Sequence, residues 1–302
     1  MTIAALLLAL ALGQEPTSGA DRPSTIDADR PHVGTGTHVV DPGEVQVELG
    51  VQWQGWTDIR TFGSPALVRV GVSDRVEFRV SSDGFLKRSQ SVVDVYGMGN
   101  AQLGAKIRLL GGRDEPYFSV LPTVGFGLAS REKGLGAGAT DATVVWLAGH
   151  PIGERLHVEG NYGIGAIGDA DSHFAQHLIT GAVIHQTTPK VQTYVEAAWW
   201  SRQERSGPSV GFIDYGVIAA IRPRLLIDAG AFSGFTRAAP DWGVFFRRVV
   251  CSRPNQSQRA ASRQRARQWS ASDPSRAARL SPRPRRGLPR RSIVRASSCC
   301  VR

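Results

Sequence analysis

The stretch Gly43-Glu-Val-Gln-Val-Glu-Leu-Gly-Val-Gln-Trp53 alternates apolar and polar side chains over about ten residues. Successive side chains of a β-strand point to opposite faces, so one face of this strand is apolar and the other is polar. A tilted strand of roughly 9–11 residues is long enough to cross a bilayer. The stretch therefore predicts a membrane-spanning β-strand, and the pattern recurs as far as Phe246.

Twelve segments show this alternation, and short turns between them alternate with longer polar links such as Ser82–Val93 and Ala166–His173. An even strand number and alternating link lengths are typical of outer-membrane barrels. We predict an all-β fold, an antiparallel up-and-down transmembrane β-barrel of about 12 strands over residues 43–246, in the bacterial outer membrane. The strands are expected at Gly43–Gln54, Ala66–Val72, Val76–Ser81, Asn100–Leu109, Tyr117–Leu128, Thr143–Gly149, Leu156–Gly165, Phe174–His185, Val191–Trp199, Phe212–Ile221, Leu225–Phe232 and Asp241–Phe246.

Aromatic residues fall near the ends of these strands, where the interfacial girdles of such barrels lie. The alternative is a water-soluble β-sandwich or lipocalin-like barrel, whose apolar face would point inward. The aromatic residues concerned are Trp53, Trp56, Phe62, Phe85, Tyr96, Tyr117, Tyr162, Trp199, Trp200, Phe212 and Trp242.

The composition excludes a helical membrane protein, since mean hydropathy is −0.17 and Ile3–Leu12 is the one long apolar run. That run is too short to span a bilayer as a helix and matches the apolar core of a secretory signal. We expect residues 1–13 to be a signal peptide, although its basic start is missing. Residues 14–42 are expected to be irregular, and whether Gln14–Asp41 plugs the barrel is left open.

The net charge of +10 comes from the end of the chain, since residues 247–302 hold 16 Arg and one acid, Asp273. Taking these from the 36 basic and 26 acidic residues of the whole chain leaves 20 and 25. All three cysteines also lie in this tail, so the rest of the chain folds without disulfides. We predict a disordered tail from Arg247, produced by a frameshift near codons 246–248. The competing interpretation is a genuine basic tail that binds lipopolysaccharide phosphates or nucleic acid; we expect no nucleic-acid partner.

The polar faces of the strands supply candidate lumen residues. They form either a charged lumen that selects solutes or a filled barrel whose charges pair with each other. The candidates are Glu44, Glu48, Arg69, Glu77, Arg79, Lys106, Arg108, His157, Glu159, Glu196 and Asp228.

No enzyme, metal site or cofactor is expected. Gly-x-Ser-x-Gly is absent, and no phosphate-binding or dinucleotide-binding glycine motif follows a strand and opens a helix. His173, His177 and His185 share one strand face at spacings of four and eight residues, about 13 Å or more apart, which is too far for one metal ion.

Several segments resemble the outer-membrane proteins grouped under the MetA pathway of phenol degradation, often called transporters. The resemblance rests on Asp29-Arg30-Pro31, Asp41–Gly50, Leu67–Arg79, Leu103–Leu109, Leu121–Gly125 and Ala239–Phe246. It implies an outer-membrane channel or transporter for small, aromatic or hydrophobic compounds. Its partners are membrane lipid and lipopolysaccharide, the outer-membrane assembly machinery and a small-molecule solute. The alternative is a structural or surface-binding barrel with a plugged lumen and no transport.

The chain departs from this class at its end. Barrels of this kind generally close with a C-terminal aromatic residue, whereas Phe245-Phe246 is followed by Arg247-Arg248. An open edge in lipid would leave backbone N–H and C=O groups unpaired.

Overall fold

A computed structural model describes residues 28–29, 33–111, 115–170 and 172–252. The predicted signal peptide and residues 253–302 lie outside this part of the chain. One antiparallel sheet of fifteen strand segments accounts for the fold. They are β1 Val45–Gly55, β2 Ile59–Gly63, β3 Ala66–Ser73, β4 Val76–Ser82, β5 Phe85–Gln90, β6 Val93–Met98, β7 Ala101–Leu110, β8 Tyr117–Phe126, β9 Asp141–Ile152, β10 Leu156–Asp169, β11 Ser172–Thr188, β12 Val191–Trp200, β13 Val210–Arg222, β14 Leu225–Gly234 and β15 Trp242–Ser252.

The fifteen segments make twelve barrel strands, because three strands are each interrupted once. β1 pairs with β2 through Gln52–Gly55 and with β3 through Val45–Leu49, so β2 and β3 are two halves of one strand. β4 with β5, and β6 with β7, are related in the same way. Gly84 lies at the second interruption with φ +67°, a conformation that other residues rarely adopt. The predicted twelve-stranded antiparallel barrel is confirmed.

The barrel is closed by β15, which pairs with β1 along its whole length, from Val45 opposite Ser252 to Gly55 opposite Trp242. The prediction that the last strand ends at Phe246 and gives way to a disordered tail at Arg247 is wrong for residues 247–252. The alternation continues there: Arg247, Val249 and Cys251 are buried and the residues between them are exposed. The last strand therefore has its full length, and the frameshift near codons 246–248 stays a prediction.

The exposed face of the strands is apolar and the enclosed face is charged. Leu49, Phe78 and Val195 are each more than half exposed, whereas Glu48 is 3% exposed and Glu77 fully buried. A water-soluble barrel would point these apolar side chains inward, so this closed barrel is of the outer-membrane type and the predicted outer-membrane location follows. Over the described residues, no helix is long and apolar enough to cross a membrane.

The links differ from the predicted pattern on one side of the barrel. The turns at 74–75, 153–155, 189–190 and 223–224 are short, which marks the periplasmic end of such a barrel. At the other end, the predicted links Ser82–Val93 and Ala166–His173 are mostly strand, because β5 and β6 extend one hairpin and β10 and β11 extend another. Long loops remain at 127–140, 201–209 and 235–241.

A buried ion pair joins β14 and β15 on the inner side of the barrel, and we predict that breaking it destabilises the barrel. Arg247 Nη2 lies 2.9 Å from Asp228 Oδ2, and the Asp228 side chain is fully buried. Arg247→Leu leaves that carboxylate without its cation, and the expected loss of folding free energy is about 3–5 kcal/mol. Urea unfolding in liposomes measures it.

Two further variants test the assignment of this loss to the pair. Arg247→Leu combined with Asp228→Leu should recover most of the stability. Arg248→Leu, at the neighbouring position but on the lipid-facing side, should leave it unchanged or higher in liposomes of zwitterionic lipid. Equal losses for Arg247→Leu and Arg248→Leu would contradict the role of the pair.

Candidate functional site: the lumen and its N-terminal segment

Residues 28–29 and 33–41, called here the N-terminal segment, lie inside the barrel. Within it Thr37 is fully buried and Asp29 is 1% exposed. The segment passes the inner wall and joins β1 at the periplasmic mouth, where Gly43 N–H donates to the Gly71 carbonyl at 2.7 Å. The sequence leaves open whether this segment plugs the lumen; here it occupies the lumen.

Backbone groups of the N-terminal segment bond to side chains of the wall. Gly34 N–H donates to Glu196 Oε1 at 2.7 Å and Thr35 N–H to Asn161 Oδ1 at 2.8 Å. Val40 N–H donates to Glu77 Oε2 at 2.7 Å. A Cβ at Gly34 would overlap the Glu196 carboxylate, so a glycine permits this approach. These bonds replace those that an irregular backbone would otherwise make to water.

Asp29 is the centre of a buried charge cluster. Its carboxylate contacts Arg79 and Lys106 and lies 3.2 Å from Arg69 Nη2. Arg69 also binds Glu77 with Nη2 at 2.8 Å and Nε at 3.0 Å. Three strands of the wall thus supply the cations, and the segment supplies one anion.

The same cations also bind the segment's backbone. Lys106 Nζ donates to the carbonyls of Gly36 and His38 at 2.5 and 3.1 Å. Arg69 Nη2 donates to the His38 carbonyl at 2.6 Å. The N-terminal segment is therefore held by charge-assisted hydrogen bonds as well as by the Asp29 carboxylate.

Burial by itself would raise the pKa of Asp29, but the charges of Arg69, Arg79 and Lys106 outweigh it and hold the pKa far below its ordinary value of 3.8. A carboxyl whose pKa is depressed in the folded state contributes stability above its ordinary pKa and loses it as the pH falls. The Asp29 contribution is therefore complete at neutral pH and declines only below about pH 4.

A second set of contacts joins the segment to the wall near the periplasmic mouth. The Tyr117 hydroxyl lies 3.3 Å from His38 Nε2, 3.0 Å from His157 Nε2 and 3.2 Å from Glu159 Oε1. The three rings lie side by side, with centroids 4.7 Å apart for His38 and Tyr117 and 5.6 Å apart for Tyr117 and His157. These contacts combine hydrogen bonding with ring packing. Among the described residues there is no group of three ligands suited to a metal ion.

The wall formed by β12–β15 is aromatic on its inner side. Phe212 packs against Phe232 with centroids 4.9 Å apart and against Trp200 at 5.5 Å. Tyr194 and Phe245 belong to the same buried cluster, which also contains Ala28 of the N-terminal segment. Tyr117, Trp200 and Phe212 were predicted to lie in an interfacial girdle; the structure turns all three inward. Trp53, Tyr96, Tyr162 and Trp242 are exposed on the outside.

Acidic groups lie on the same strands as this aromatic cluster and contact it through Tyr194. Glu196 and Asp214 stand directly opposite each other on β12 and β13, and both are buried. Asp228 accepts from the Tyr194 hydroxyl at 3.3 Å and pairs with Arg247. The lumen thus has two unlike walls, one rich in cations and one combining aromatic rings with carboxyl groups.

The eleven candidate lumen residues all lie on the inner side of the barrel, and the structure brings five of them together around Asp29. These five are Glu48, Arg69, Glu77, Arg79 and Lys106. Glu44 is near Cys251, Arg108 lines a cavity of about 130 Å³ at the periplasmic mouth, and His157 and Glu159 contact Tyr117. Glu196 and Asp228 belong to the opposite wall.

Sequence reasoning missed Asp29, Tyr117, Asn161, Asp214 and Arg247. Asn161 and Asp214 occupy inward positions of recognised strands, so the alternation itself could have found them. Asp29 lies outside any strand, and no periodic signal points to it.

Residues 28–250 match the family described as "Putative MetA-pathway of phenol degradation". The chain belongs to this family. The match begins at the N-terminal segment and reaches into the end of β15, so the phenol-degradation family domain includes both the segment and the closing strand. A comparison with curated proteins found no match.

Among solved structures, this family member is similar to the crystal structure of the COG4313 outer membrane channel from Pseudomonas putida F1. Identity is 11%, the match covers 72% of this chain and 98% of that one, and the TM-score is 0.57. The NanC porin is also similar, at 9% identity, 69% and 100% coverage and TM-score 0.48. The translocator domain of NalP from Neisseria meningitidis is similar at 12% identity, with 72% of this chain and 91% of that one covered and a TM-score of 0.44. The first of these similarities supports the barrel fold.

We predict that Asp29→Asn loosens the N-terminal segment. The substitution removes the anion shared by Arg69, Arg79 and Lys106, and a lost partner of a buried charge cluster costs about 3–5 kcal/mol. Thermolysin cleavage before Val39 or Val40 reports exposure of the segment and should become faster while the barrel stays folded.

The matched control is Asp94→Asn. Asp94 forms an ion pair with Lys87 at 2.7 Å, but both side chains are roughly half exposed, so its loss should have little effect. Equal cleavage rates for the wild type and Asp29→Asn would show that this carboxylate does not hold the segment.

Proposed function

We propose that this protein is a passive outer-membrane channel for small, aromatic or hydrophobic compounds, and that the N-terminal segment controls whether its lumen is open. The observation that carries the proposal is the aromatic inner wall of β12–β15, which faces the segment across the lumen. Aromatic rings offer offset-stacked and edge-to-face contacts to an aromatic solute.

The membership of the phenol-degradation family supports a solute of this kind, and the similarity to an outer membrane channel from Pseudomonas putida F1 supports passage through the barrel. The protein's contribution in this proposal is a lined passage, with no chemical conversion of the solute. Its cation-rich wall favours solutes that also carry a carboxylate or phenolate group.

Opening requires the N-terminal segment to move, because it fills the space between the two walls. Non-covalent bonds hold it, so its displacement is reversible. Most of these bonds come from β3, β4, β7 and β12, whereas the aromatic cluster contacts the segment through Ala28 and Val33.

A second candidate function is a structural barrel that stays plugged. The favouring observation is the burial of Asp29 among three cations, an arrangement costly to open. Under this alternative the segment is a permanent part of the core, and no solute crosses.

Planar-bilayer conductance separates the two candidates. A channel should show a low wild-type conductance that rises several-fold when residues 14–41 are deleted and rises to a smaller extent in Asp29→Asn. A folded barrel that remains non-conducting after the deletion would favour the plugged alternative. The heat-modifiable band of unboiled protein confirms folding in each case.

The aromatic wall gives a sharper prediction for the open form. Benzenesulfonate should block the current of the 14–41 deletion at lower concentration than methanesulfonate, because it carries the same charge and adds a ring. Phe212→Ala with Phe232→Ala should abolish that difference. Phe78→Ala, which removes a ring from the lipid-facing side, should preserve it; a preference that survives in both variants excludes the wall as the binding surface.

A further inference from the structure

An arginine lies on the lipid-facing side of the strand that closes the barrel. On β15 the outward positions are Trp242, Val244, Phe246, Arg248, Val250 and Ser252, alternating with buried residues. Arg248 stands opposite Leu49 of β1 and Ile227 of β14. Among the described residues of β1, β14 and β15, Arg248 is the single charged side chain on the outward face.

The position of Arg248 along the strand brings it close to the periplasmic surface. It is four residues from Ser252, where β15 ends in the structure. At roughly 3.3 Å per residue and a tilt near 40°, it lies about 10 Å inside that end. The cost of an outward charge falls steadily from the bilayer midplane to the interface, and a long arginine side chain can extend its charged end towards the headgroups.

A second outward arginine lies at the same corner of the barrel. The register shift between Ala220 and Arg222 places Arg222 opposite Leu225, and Leu225 in turn stands opposite Val250. Arg222 and Arg248 are therefore two strands and two residues apart, about 12 Å between Cα atoms. Neither guanidinium has a carboxylate partner among the described residues, in contrast to the buried pair of Arg247 and Asp228.

The surface between the two arginines is apolar. Leu225, Ile227 and Val250 occupy the intervening outward positions, and Val250 is 38% exposed. Above them Leu49 and Phe246 are 56% and 45% exposed. Two cations at the interface with an apolar strip leading away from them match a molecule that has an anionic headgroup and acyl chains.

We propose that Arg222 and Arg248 bind the headgroup of an anionic phospholipid in the periplasmic leaflet, with its acyl chains along Ile227, Val250 and Phe246. The guanidinium groups donate to the phosphate oxygens, which satisfies charges that the protein itself leaves unpaired. The lipid is thereby placed on the outer surface of β13, β14 and β15, next to the seam between β15 and β1 where the barrel closes.

A photo-crosslinking amino acid at position 227, between the two arginines, tests this proposal in the full-length protein. The protein is placed in vesicles of equal phosphatidylglycerol and phosphatidylethanolamine with identical acyl chains, and the captured lipid is identified by mass spectrometry. Because the probe reports only its own surroundings, lipid bound by the basic residues 253–302 does not contribute. We expect phosphatidylglycerol to be captured about five-fold or more in excess per arginine engaged.

Matched variants separate this site from general surface charge. Arg222→Gln with Arg248→Gln should bring the capture ratio close to one, and Arg222→Lys with Arg248→Lys should keep a reduced preference. Arg60→Gln removes one charge from β2 at the opposite end of the barrel and should leave the ratio unchanged.

Three results would overturn the proposal: equal capture of the two lipids by the wild type, a preference that survives the double Gln substitution, or capture of a polypeptide in place of lipid. If the double Gln variant gives no heat-modifiable band, Arg248→Gln alone and the wild type at raised salt provide the same test. Both should lower the phosphatidylglycerol excess, and an excess insensitive to both also rejects the site.

Discussion

The constraint on which this structure depends is that lipid offers no hydrogen-bond partner to a peptide group. Each strand must therefore be paired on both sides, and a sheet in a membrane has to close on itself. The eleven residue pairs between β1 and β15 provide this closure. Without them the N–H and C=O groups of two edge strands would be unpaired in hydrocarbon, at several kcal/mol for each group.

Closure also determines what the inside of the barrel contains. Because the strand period is two, every second side chain points into the barrel. The polar side chains among these lose contact with bulk water once the lumen is filled. Their charges are then neutralised locally. Arg69, Arg79 and Lys106 are balanced by the carboxylates of Asp29, Glu48 and Glu77, and Arg247 is balanced by Asp228. The N-terminal segment is thus part of the electrostatic balance of the barrel, which explains why an irregular stretch is held so firmly.

The two walls of the lumen differ in chemistry, and this difference determines which groups a solute in the lumen would contact. The cations of β3, β4 and β7 face the segment from one side, and the aromatic cluster of β12–β15 faces it from the other. A solute that replaced the segment would meet both surfaces. On the outside the same closing strand carries Arg248, so β15 contributes to the seam, the lumen and the lipid-facing surface through successive side chains.

Alternation and turn residues were enough to predict the strand number and the inward side of the strands that supply the lumen candidates, because both are local consequences of the two-residue period. The prediction that Phe212 and Trp200 lie in the interfacial girdle was wrong because a list of aromatic residues near strand ends ignores the parity of each position. Phe212 has the parity of inward Asp214, and Trp200 that of inward Glu196. Composition could not show that Arg247 and Arg248 belong to a strand. Their charge suggested a tail, and only the pairing partners Asp228 and Leu49 show how each arginine is accommodated.

The sequence by itself determined the class of fold, the apolar outer face and the polar residues available to the interior. The tertiary structure alone decided that the N-terminal segment enters the lumen, that Asp29 meets three cations from separate strands, and that the barrel closes through Ser252. The physical reason is the distance along the sequence over which each feature is set. A strand's period is set by neighbouring residues, whereas ion pairs and barrel closure join residues that only the folded chain brings together.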